Sequence, residues 1–164
     1  MTVISTITNP EALTLTVSAE FAAGPQQVWE VWQNPRQLER WWGPPTYPAT
    51  FTRHDFVVGG ESRYYMTGPD GDQPRGYWRM SVIEEPRHLE FANGLAGEDG
   101  EPKVGMEPMA ALVTFESNEG GTRMTVKSTF VDESQMEMLI AMGMAEGMTQ
   151  AIQQIDGLLS SKAA

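Results

Sequence analysis

Residues 132–159 read DESQMEMLIAMGMAEGMTQAIQQIDGLL, and this is the most regular stretch of the chain. Met136, Ile140, Met144, Met148 or Ala151, Ile155 and Leu158 recur every three or four residues. That spacing lays one apolar stripe along an α-helix. Asp132 followed by Gln135 supplies the start as a capping box, with Asp in the place of Ser or Thr. The pattern predicts one amphipathic helix of about seven turns, roughly 40 Å long at ~1.5 Å per residue. A helix of that length can cover a whole curved sheet.

The sequence before it supplies such a sheet. Residues 12 to 21 alternate, with Leu13, Leu15, Val17 and Ala19 on one face and Thr14, Thr16, Ser18 and Glu20 on the other. Gly24-Pro25 then opens a short helix that buries Val28, Trp29 and Trp32. Asn34-Pro35 opens a second, carrying Leu38, Trp41 and Trp42, and Gly43-Pro44-Pro45 stops it. From residue 50 to about 130 the punctuation is that of an antiparallel meander. Strands are expected at residues 50–58, 61–67, 75–84, 88–93, 110–117 and 122–130, with turns at Gly59-Gly60, Gly68-Pro69-Asp70-Gly71, Glu85-Pro86 and Gly120-Gly121. The first ten residues read as a tail ending at Asn9-Pro10, and residues 11–162 as a single α+β domain.

Period-2 counting gives the inward faces. Tyr64 and Met66 share one, Trp78 and Met80 another, and Phe91, Phe115 and Met124 continue it on later strands. The helix opposite carries five methionines between positions 136 and 148. Methionine adapts to irregular or variable shapes. Gly143 and Gly147 lie one turn apart, and each costs about 1 kcal/mol against alanine in a helix interior. Close packing would compensate for that, and so would room for a ligand. Taken alone, the pattern is more often that of a plain core than of a pocket.

Composition narrows the function classes. The 164 residues are 40% hydrophobic and 20% charged, an ordinary globular balance. There is no cysteine, which excludes disulfides and thiolate chemistry. The formal charge of −11 repels nucleic acid and anionic membranes. Apolar runs are too broken by charge for membrane insertion, and Met1-Thr2-Val3-Ile4-Ser5 does not open a signal peptide. A cytoplasmic protein, monomeric or homodimeric, is expected.

No constellation demands catalysis. His54 and His88 stand alone, without a second ligand at metal-binding spacing, so neither a metal nor another cofactor is expected. Gly-rich phosphate loops and a nucleophile elbow are absent. Glu84-Glu85 and Glu98-Asp99-Gly100-Glu101 are acidic turns. Arg63, Arg75, Arg79 and Arg123 lie on strands, where surface pairing is their expected role.

Several segments together resemble a known family. They are residues 21–35, Arg40-Trp41-Trp42-Gly43-Pro44, Asp55 to Gly60, Gly68 to Gly71, residues 120–125 and Met142 to Gln150. In this order they resemble the heat-shock-protein ATPase activator homologue-like branch of the SRPBCC superfamily, the START-like, helix-grip proteins. The resemblance covers about residues 12–160. It implies a curved seven-stranded antiparallel sheet wrapped around a long C-terminal helix, with two short helices after the first strand. It also implies a hydrophobic cavity between sheet and helix. Departures include Ser62, where an aromatic is usual, which would alter the pocket mouth.

The function implied is binding of a small hydrophobic or aromatic molecule, or a lipid. The expected walls are Trp41, Trp42, Phe56, Tyr64 and Met66 on one side, Trp78, Met80, Phe91 and Phe115 on the sheet, and Met136, Ile140 and Met144 on the helix. His54, Tyr77 and Arg79 are the candidate polar groups. A polyketide cyclase or hydrolase would need one of these, or Tyr64, Tyr65 or Asp55, inside the pocket with a shifted pKa. A chaperone-associated role would rest on the family resemblance alone.

Overall fold

The computed structural model describes residues 3–163, with side-chain surroundings for residues 5–160. Strands β1 (Val3–Asn9) and β2 (Thr14–Phe21) precede two short helices, α1 (Pro25–Gln33) and α2 (Pro35–Leu38). Six strands follow: β3 (Ala49–His54), β4 (Glu61–Met66), β5 (Arg75–Glu84), β6 (His88–Ala96), β7 (Met109–Asn118) and β8 (Gly121–Thr129). The chain closes with α3 (Glu133–Ala141), α4 (Met144–Gln153) and α5 (Ile155–Ala163). The strands form one antiparallel sheet in the order β1-β2-β8-β7-β6-β5-β4-β3. This is the helix-grip arrangement of an α+β fold.

The sheet has eight described strands where seven are expected, and the difference lies in the supposed tail. Residues 5–9 pair with residues 14–18 of β2, from Ser5 opposite Ser18 to Asn9 opposite Thr14. Backbone hydrogen bonding to the free edge of β2 makes this strand. Residues 5–9 include no buried side chain, and Ile7 is 58% exposed, so this part of β1 offers no buried stripe for alternation to reveal.

Where alternation is clean the sequence reads true. Leu15, Val17, Ala19 and Phe21 are buried on β2, and Met124 and Val126 on β8. Register shifts after Phe51 and after Met80 mark irregularities in β3 and β5. Such bulges bend a strand and sharpen its twist, which curves the sheet around the helices.

The C-terminal helix is interrupted twice. Asp132 caps α3 by accepting from the Gln135 backbone N–H at 2.8 Å, and the Gln135 side-chain oxygen accepts from the Val131 N–H at 2.8 Å. The first bond is the expected half of a capping box; the second reaches one residue further back than the box requires, to Val131 rather than Asp132. The first break falls at Met142-Gly143, because Gly143 has φ +91, a left-handed conformation that suits glycine. The second falls at Gln154, between α4 and α5. No described helix is long and apolar enough to cross a membrane.

The helical segments pack at different depths. Ala151, Ile152, Ile155, Leu158 and Leu159 join the main core with Val17, Trp29 and Trp32. Met136 and Leu139 of α3 belong to a smaller cluster with Leu15 and Phe130. Between these two clusters the packing opens.

Candidate ligand cavity

An apolar cavity of about 270 Å³ lies at that opening. The turn after α2 supplies Trp42, Gly43, Pro44 and Tyr47. The sheet supplies Tyr64, Met66, Asn93, Leu95 and Met109. Leu139, Met142, Met144, Gly147, Met148 and Ala151 close it from the helices. An adjoining recess of about 70 Å³ shares Tyr64, Asn93, Leu95, Met109 and Leu139 and ends at Gln135 and Glu107. Met142 is 68% exposed and stands at the rim. No Asp, Glu, Lys, Arg or His lines the larger cavity.

Glycine gives this site its shape at two points. A side chain added at Gly147 would meet nothing within 4 Å, so its absence leaves space. Gly43 does the opposite: its φ is +100, and an added Cβ would lie 2.3 Å from the Tyr47 carbonyl oxygen. The Gly43 carbonyl accepts from the Gln154 side chain at 2.8 Å, which ties this lip to the C-terminal helix. Gly43→Ala is therefore expected to cost about 1–3 kcal/mol in chemical denaturation, since both the backbone strain and the close approach oppose it. An unchanged denaturation midpoint would show that the lip is not held this way.

Of the residues expected in the wall, Trp42, Tyr64, Met66 and Met144 line the cavity. Trp41, Trp78, Met80, Phe91 and Phe115 do not; they are packed in the main core beneath it. The cause is Trp32, whose ring lies 4.7 Å from Trp41, 6.0 Å from Trp78, 6.1 Å from Phe91 and 6.4 Å from Phe115. It plugs the space under the sheet that period-2 counting leaves open. Phe56 packs edge-on against Trp29 at 5.7 Å, away from the cavity. Met136 and Ile140 belong to the smaller cluster around Leu15 and Phe130.

The three expected polar groups also lie outside the lining. Tyr77 is buried on the sheet face opposite Trp78, with Arg79 over its ring at 5.6 Å. Arg79 pairs with Glu61 at 3.5 Å, and Glu61 also holds Arg63 at 3.1 Å and Arg53 at 3.3 Å. These arginines make a surface network. His54 is half-buried between α1 and the sheet: Nε2 donates to the Trp32 carbonyl at 2.9 Å, so Nδ1 accepts from the Ser62 hydroxyl at 2.7 Å. Ser62 is fully buried beneath this imidazole and is not at the pocket mouth.

Burial lowers the His54 pKa against the smaller opposing pull of the Trp32 and Gln33 carbonyls and Asp55. The unfolded chain then binds the proton more readily than the folded one. Its contribution to stability is present above the ordinary histidine pKa of about 6.5 and is lost as pH falls from there toward the folded value. Thermal unfolding of the wild type should accordingly lose more between pH 7 and pH 5 than that of His54→Gln. Parallel melting curves for the two proteins would remove His54 from the account.

The cavity's polar content is concentrated at its inner wall. Tyr64 is 8% exposed and its hydroxyl donates to Asn93 Oδ1 at a long 3.4 Å. Burial pushes the Tyr64 phenol up to about 12, against the opposite effect of the Trp42 and Trp78 indole N–H groups beside it. Neither indole N–H reaches hydrogen-bond geometry with any acceptor.

The model of the family described as Activator of Hsp90 ATPase homolog 1-like protein matches residues 22–160. The chain belongs to that family. Among solved structures, a protein from Arthrobacter aurescens is 52% identical, covering 98% of this chain and 93% of that one, with a TM-score of 0.93. Protein Ms6760 from Mycobacterium smegmatis is 41% identical over 96% of each chain, with a TM-score of 0.89. An AHSA1-like protein from Aeromonas hydrophila, 22% identical over 92% of this chain and 93% of that one, shares the fold at a TM-score of 0.66. No curated protein matches the sequence. Within this Hsp90-activator-homologue-like family, membership accounts for the grip of sheet on helix; the contents of the cavity have to be argued from its own walls.

Proposed function

We propose that this chain binds one small hydrophobic or aromatic molecule in the cavity between β4, β6, β7 and the C-terminal helix. The supporting observation is a void of about 270 Å³ whose walls carry no ionisable side chain other than Tyr47 and Tyr64. A cavity of about 150 Å³ with such walls already takes a benzene-sized guest. The space here suits roughly two fused rings and is too small for a whole membrane lipid. Five methionines among the lining residues, Met66, Met109, Met142, Met144 and Met148, favour an apolar occupant.

Binding is favoured over a cyclase or hydrolase. With its pKa near 12, the Tyr64 phenol stays protonated at neutral pH and supplies no base. Titration with N-phenyl-1-naphthylamine, followed by fluorescence and native mass spectrometry, tests the reading. Saturable one-to-one uptake supports it. A signal that fails to saturate up to the probe's solubility limit ends it.

A further inference from the structure

The inner wall of the cavity and the core directly behind it have an excess of hydrogen-bond donors. The Trp42 and Trp78 indole N–H groups are buried without acceptors, on residues 5% and 0% exposed. The two rings pack edge-on at 4.9 Å, and the Tyr64 ring lies 6.0 Å from Trp42 and 6.4 Å from Trp78. Neither N–H has a partner of its own, and the Tyr64 hydroxyl is the donor of this group that lines the cavity. Its present acceptor, Asn93 Oδ1, is 3.4 Å away, beyond the usual range for a hydroxyl donor. Among the described lining residues no buried side-chain acceptor is left unpartnered. Buried donors in a native protein normally find an acceptor.

We infer that the Tyr64 hydroxyl, with the Trp42 and Trp78 N–H groups behind it, binds a carbonyl oxygen on an uncharged apolar ligand, taking over from the long bond to Asn93. The inference rests on the proposed binding function and specifies its ligand class as cyclic or aromatic ketones and lactones. Two features decide for a neutral acceptor. A ligand carboxylate would lose its hydration against walls without a single cationic side chain. A wholly apolar ligand would leave the Tyr64 hydroxyl on its long bond to Asn93.

The test uses three ligands with one skeleton: 1-tetralone, tetralin and 1,2,3,4-tetrahydronaphthalene-1-carboxylate. Calorimetric titration of the wild type should find the ketone about tenfold tighter than the hydrocarbon, with the carboxylate weakest. In Tyr64→Phe the preference for the ketone over the hydrocarbon should shrink to near one. The carbonyl stretch of bound tetralone should move to lower wavenumber in the wild type and return in the variant. Equal affinity for ketone and hydrocarbon, or tightest binding of the carboxylate, overturns the inference while leaving the cavity reading intact. If neither neutral ligand binds, the cavity reading falls and this inference falls with it. Should Tyr64→Phe fold poorly, the wild-type comparison and the carbonyl stretch still decide.

Discussion

Trp32→Ala is expected to remove about 3–5 kcal/mol from the free energy of unfolding. The indole is fully buried and touches five other aromatic rings, those of Trp41, Trp42, Trp78, Phe91 and Phe115. Its N–H donates to Met124 Sδ at 3.4 Å, a weak bond to a soft acceptor. Most of the loss therefore comes from the hole left behind. These rings come from α1, the turn after α2, and β5, β6 and β7, which cannot collapse together onto an alanine without moving the sheet. A domain of this size has about 5–15 kcal/mol in total, so the variant should be barely folded. Urea titration should show a large drop in midpoint with little change in slope. Trp32→Phe, which keeps a ring in place, should lose much less. A loss under about 1 kcal/mol for the alanine variant would contradict the role of Trp32 as the plug.

Gly147→Leu should leave the fold intact and abolish ligand uptake. Gly147 sits inside α4 and an added side chain meets nothing within 4 Å, so leucine enters the cavity rather than the core. Replacing a helical glycine gains up to about 1 kcal/mol. The same side chain occupies space the ligand needs and should weaken binding of a bicyclic probe at least about thirtyfold, the equivalent of ~2 kcal/mol. Gly147→Ala separates the two effects: it should be stabilised as much and still bind. A leucine variant that is stable and binds the probe like the wild type would move the binding site elsewhere.

The framework of this fold was legible because its signals are local. Alternation on β2 and β8, the turn glycines, and the Asp132–Gln135 cap each act within a few residues. The misreadings come from contacts between distant segments. β1 is held by backbone pairing to the edge of β2, which leaves no mark on its side-chain pattern. Gly143 does not interrupt the apolar period, so the break after α3 is invisible until its φ is known. Period-2 counting assigns Trp78 and Phe91 to the face of Tyr64, and that is correct. It carries no information on depth, and depth is set by Trp32 arriving from α1. Leu95 and Met109 lie outside the expected strands 88–93 and 110–117, while Asn93 lies inside the first and escapes a count of apolar alternation because it is polar. Beside the family resemblance and the methionine stripe, the pair of helical glycines pointed to the void, and Gly147 lines it.

The methionine wall has a consequence for discrimination. Branched and aromatic walls hold a fixed outline and reject a misfitting guest by steric clash. Met66, Met109, Met142, Met144 and Met148 are unbranched, with several rotatable bonds each, and re-pack around whatever enters. Guests of similar polarity but different outline should therefore differ little in affinity. A cavity walled in this way is expected to select for a chemical class rather than for one compound, as adaptable methionine-rich surfaces do.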